Sequence, residues 1–161
     1  MDKKAQQTMS MPFGIIFAIF LIVVFVVVAF FAIKGFLDIG ESSEVGLFYQ
    51  DLQEAIDRAR SSQTSEFEFE INLPKEVEFI CFANLSAKIT ANTEKYELIE
   101  MYKVYEANVF LLPPESADSP WKNLDNINIT KITEKQNPYC VPSSKNLVIK
   151  KSFYDRLVSI E

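Results

Sequence analysis

Two cysteines and a scatter of carboxylates are the side chains with the most chemistry to offer, because the chain has no histidine. Without an imidazole, a Ser/His/Asp triad, a Cys/His pair and histidine-ligated zinc cannot be built from this chain alone. Four glycines leave no phosphate-cradling loop. Cys81 and Cys140 fit neither a C-x-x-C redox pair nor a metal clamp. An even count suits a disulfide, which would close a loop of about 60 residues and restrict the unfolded chain by about 4 kcal/mol. The alternative is two buried thiols acting as small hydrophobes.

The carboxylates divide into two sets. Glu66, Glu68 and Glu70 alternate with Phe67, Phe69 and Ile71, which is the wet face of a half-buried strand. No EF-hand spacing accompanies them, so a cation site is not expected. Glu115 and Asp118 share a proline-bounded loop, where an acid/base pair is conceivable but nothing in the spacing demands one. No catalytic residue, metal site or cofactor site is expected. Asn84-Leu85-Ser86 and Asn128-Ile129-Thr130 fit the N-glycosylation acceptor pattern.

The element that dominates the chain carries no charge at all. Residues 12–33 are apolar throughout, and a helix of that length, about 33 Å, matches the hydrocarbon thickness of a bilayer. Ser10 suits an N-cap, and Pro12 falls in the first turn, where its missing N–H costs little. The run is too long for a cleavable secretory signal and does not end in small residues. Gly14 and Ala18 form a small-x-x-x-small pair that suits close helix approach. Lys3 and Lys4 precede the span, whereas Lys34 follows it beside Asp38, Glu41 and Glu44. That bias places the N-terminus in the cytoplasm and the C-terminal bulk outside.

Beyond the span lie 14 of the 16 basic and 21 of the 22 acidic residues, a net charge of −7. Nucleic acid is therefore not an expected partner. Residues 34–43 form a hinge, with Gly35 and Gly40, or a continuation of the helix. Val45, Phe48, Leu52, Ile56 and Ala59 recur at helical spacing, with acids early and Arg58 and Arg60 late, and predict an amphipathic helix over 44–60. Strands are predicted at 66–71, 77–82, 109–112, 126–132, 147–150 and 157–160, and a second helix at 93–105. The whole reads as an α+β fold: residues 1–11 a cytoplasmic leader, 12–33 a transmembrane helix, and 44–161 an amphipathic helix packed on an antiparallel sheet.

A charged leader, a long apolar helix, an amphipathic helix and a sheet with a late cysteine resemble the type IV pilin plan. Lys3-Lys4-Ala5-Gln6 is similar to the class III prepilin leader, which implies cleavage between Ala5 and Gln6. Where pilins usually carry a glutamate five residues into the mature chain, this sequence has Ser10. The SMPFG, ICFANLS, ITEKQNPYC and KSFYDRLVSI segments also resemble uncharacterised archaeal single-span membrane proteins. The resemblance implies a structural subunit of an envelope or pilin-like assembly, partnered by lipid and by other subunits, itself included. A second reading is a monomeric anchored binding module that presents residues 115–121, with Trp121 as its aromatic anchor.

Overall fold

The structure is a computed structural model that describes residues 10–161, with side chains described for 14–35 and 43–161. The leader with Ala5 and Gln6, the side chains of Ser10 and Pro12, and the surroundings of Gly40 lie outside what is described. The chain divides into two units, Met1–Gly40 and Glu41–Glu161. Helix α1 is Ser10–Ser61 and contributes to both.

Within the first unit, Gly14–Gly35 is long and apolar enough to cross a membrane, and none of it is covered by the rest of the chain.

The second unit is a mixed α+β domain with two antiparallel sheets, where one was expected. Its strands are β1 (Ser65–Phe69), β2 (Phe79–Phe82), β3 (Val109–Leu112), β4 (Trp121–Lys122), β5 (Tyr139–Pro142), β6 (Leu147–Lys151) and β7 (Ser159–Ile160). One sheet has the order β1-β6-β7 and the other β4-β3-β2-β5. Two further helices, α2 (Thr93–Ile99) and α3 (Ile129–Ile132), and two 3-10 segments, Glu100–Tyr105 and Pro114–Ser116, complete the domain.

Strand alternation sorts the side chains of the larger sheet between two cores. Ile80, Phe82, Val109, Leu111 and Val141 share one core with Val45, Phe48, Leu52, Ile56 and Ala59 of α1 and with Leu147, Ile149 and Ile160 of the smaller sheet. Cys81, Phe110 and Leu112 point the other way, into a second core with Ile99, Tyr96 and Tyr102. Burial on both faces explains why β2 and β3 are almost wholly apolar. Leu52 and Ile56 are fully buried, each worth about 1.5–3 kcal/mol of transfer free energy. Phe48 of α1 also meets Phe69 of β1 edge-on, with ring centroids 6.1 Å apart.

Polar contacts fix a second face of α1. Tyr49 Oη donates to the Ser119 carbonyl at 3.1 Å. Four residues on, Gln53 and Asp125 exchange two hydrogen bonds, and four further, Asp57 accepts from Asn126 Nδ2 at 2.8 Å. The four-residue spacing keeps these side chains in one row, so the segment 119–126 runs along the helix.

Two predicted elements take other forms. Residues 126–132, expected as a strand, give one bridge between Ile127 and Val158 and then α3. The Asn128 side chain accepts from Lys131 N at 3.0 Å, a helix cap that turns the chain out of extended geometry. The helix predicted over 93–105 is α2 followed by the tighter 3-10 segment, with Asn92 at its start in the left-handed region, φ 52°.

Candidate interaction surfaces

Cys81 and Cys140 face each other in register on the adjacent strands β2 and β5 and are joined in a disulfide. Cys81 is fully buried in the second core, under α2. The bond ties the centre of the larger sheet to its edge.

The other residues singled out by type scatter. Gly14 and Ala18 are one turn apart in the apolar segment, both exposed, and a Cβ added at Gly14 would meet nothing within 4 Å. Glu66 lies opposite Lys150 in the β1–β6 register and pairs with it at 3.6 Å, while Glu68 accepts from Asn146 Nδ2. Acidic side chains therefore line β1, an edge strand, where charge discourages pairing with another sheet. Among the described residues, no group of three or more His, Cys, Asp or Glu is placed to hold a metal. Glu115 sits in a single 3-10 turn, Pro114–Ser116, with Asp118 in the loop that follows, and both are exposed.

Trp121 is half-buried rather than presented. Its ring stacks on Tyr105 at 4.7 Å and 16°, and it packs on the second core. Asn84 and Asn128 are each half-buried, and each uses its side-chain oxygen locally, Asn84 accepting from Ser86 N and Asn128 capping α3.

Sequence reasoning missed two exposed apolar clusters. The first is the loop between β6 and β7, where Phe153 and Tyr154 meet edge-on at 5.3 Å and Tyr154 is 93% exposed. Lys151↔Ser65 register and a hydrogen bond from Lys151 Nζ to the Ser62 carbonyl place this loop beside the C-terminal end of α1. An aromatic pair between Ser152 and Asp155, outside any alternating run, is the signal that could have found it. The second cluster is Leu98, Met101, Val104 and Tyr105, with Val104 85% exposed. The helix expected over 93–105 rests on Tyr96, Ile99 and Tyr102, and that spacing says nothing of these outward residues.

A groove of about 490 Å³ between α3 and β7 is lined by Lys131, Lys135, Glu134, Tyr139 and Glu161 among others. Burial, and then the charge of Glu161, push the Tyr139 phenol up, so it stays protonated at neutral pH. Burial raises the Tyr49 phenol as well. At Asp155 the hydrogen bond from Lys131, at 2.8 Å, holds the carboxyl below its ordinary range.

Comparison of the chain with protein-family models, with curated proteins and with solved structures finds no match.

Proposed function

We propose that this chain is a single-pass, membrane-anchored structural subunit of an envelope or pilin-like surface assembly, without catalytic activity. Gly14–Gly35 crosses the bilayer, the N-terminus lies in the cytoplasm, and the α+β domain lies outside. The carrying observation is that the apolar helix is left bare by its own chain. Such a surface is stable only in lipid or against other helices. The disulfide agrees with an oxidising, external compartment.

In this reading the helix has two roles. Its first part anchors and packs laterally, with Gly14 and Ala18 as the close-approach face. Its second part seats the sheets of the domain through Val45, Phe48, Leu52 and Ile56. That division of labour is the pilin-like plan, and the archaeal resemblance of the sequence belongs to the same reading.

The test is the size of the native particle. Membranes solubilised in mild detergent should release the chain as multimers. Dispersed monomers alone would overturn the subunit reading and favour the monomeric binding module, whose exposed aromatics would be Phe153 and Tyr154 rather than Trp121.

A further inference from the structure

We infer that the domain makes a head-to-tail contact with a second copy of itself, in which the Phe153–Tyr154 tip of one copy seats on the Leu98–Met101–Val104 stripe of the next. The inference rests on the subunit reading above and supplies a contact that it leaves open.

The tip is held in shape, not merely exposed. Lys131 clamps Asp155 at 2.8 Å, Asp155 N donates to the Ser152 carbonyl, and Val158 N donates to the Asn126 carbonyl. Between those ties the two rings project into water. Exposing two neighbouring aromatic rings sacrifices burial that folding would otherwise gain, which marks such a tip as a contact site.

The stripe is equally fixed. Ile99 is buried, and Tyr96 and Tyr102 pack on the second core, so the α2 and 3-10 segment is pinned by one side. Met101 and Val104 stand one 3-10 turn apart on the outer side, and Leu98 precedes them by three residues in the last turn of α2. Tyr105, stacked on Trp121, continues this apolar surface.

Charge selects the occupant. Around the tip lie Lys131, Lys150, Lys151 and Arg156 against Asp155 and Glu66, a positive island in a domain whose net charge is −7. Around the stripe lie Glu94, Glu97, Glu100 and Glu106 against Lys95 and Lys103, a negative surround. The island and the surround are opposite in sign and equal in magnitude. Tip against tip, or stripe against stripe, would oppose like charges. The favoured contact is therefore between unlike surfaces; made in one direction only, as inferred here, it is heterologous and builds rings or filaments.

The experiment uses the full chain in its own membrane, with photoreactive benzoylphenylalanine in place of Tyr154. Illumination should yield a species of twice the chain mass whose cross-linked peptide contains residues 98–105. Arg156→Glu in the probe-bearing copy should lower the yield by about fivefold or more. Pairing it with a copy carrying Glu97→Lys and Glu100→Lys should restore the yield. Cross-links to lipid, to another protein or to the tip of the second copy, or no cross-link at all, would overturn the inference. A parallel probe at Ala18 separates the two claims. Dimers captured there but not from Tyr154 sink this contact alone, whereas capture at neither position also sinks self-association.

Discussion

The side chain of Asn137 stands in for a strand partner of Asn84. The β2–β5 register, with Phe82 opposite Tyr139, would next bring Asn84 opposite Asn137, but Pro138 interrupts the run of backbone donors. The carboxamide continues the ladder instead. Its oxygen accepts from Asn84 N at 3.0 Å and its nitrogen donates to the Asn84 carbonyl at 2.9 Å and to the Lys88 carbonyl at 3.2 Å. Asn137 is buried, so Asn137→Ala would strand polar groups away from water and should destabilise the domain by about 3 kcal/mol. Asn137→Asp keeps the acceptor but turns a carboxylate toward two carbonyl oxygens. Its deficit should grow as pH rises above the carboxylate range. Denaturant titration of the full chain in micelles, followed by the fluorescence of Trp121, the sole tryptophan, measures both.

Removing the disulfide should cost stability through the unfolded chain. Cys81 and Cys140 are separated by 59 residues, and releasing a loop of that length removes about 4 kcal/mol. Cys81→Ala with Cys140→Ala should lower the unfolding midpoint accordingly while leaving native circular dichroism intact. An unchanged midpoint would mean that the bond does not form in the native protein.

Leu52 and Leu47 provide a paired test of the buried face of α1. Leu52 is fully buried and Leu47 is 56% exposed, although they lie within two turns of one another. Leu52→Ala should cost about 2–5 kcal/mol, and Leu47→Ala less than about 0.5 kcal/mol. Equal effects would contradict the packing described.

The Lys131–Asp155 clamp gives the aromatic loop a pH dependence. The folded carboxyl titrates below its unfolded range, chiefly because Lys131 donates a hydrogen bond to it. Its contribution is therefore complete above the unfolded pKa and is lost as pH falls through the folded one. The protection of amides in residues 152–157, measured against the intrinsic exchange rate at each pH, should fall on acidification through that window. Lys131→Met should move the onset to higher pH, visible as an upward shift of the Asp155 carboxyl in an NMR titration.

Periodicity carried the parts of the fold that bury one face. The spacing of Val45, Phe48, Leu52, Ile56 and Ala59, and the alternation of Glu66 to Phe69, each has one reading, and the structure follows both. Where side-chain hydrogen bonds decide, the pattern fails. Asn126 to Ile132 looked extended because of its three isoleucines, but the cap at Asn128 and the left-handed Asn126, φ 68°, turn it into α3. Strand β5 went unseen because Pro138 and Pro142 frame only three other residues. Pro142 is tolerated there because β5 is an edge strand. The candidate surfaces were the least legible. Phe153, Tyr154, Met101 and Val104 carry no motif, and their interest comes from exposure, which only the folded chain reveals.

The central claim is that the apolar helix threads a bilayer and delivers the disulfide-bonded domain to the outer side. An epitope placed after Glu161 and challenged with an impermeant protease in intact cells tests it most directly. The account predicts loss of the epitope before lysis. Survival in intact cells, with digestion only after they are broken open, would contradict it.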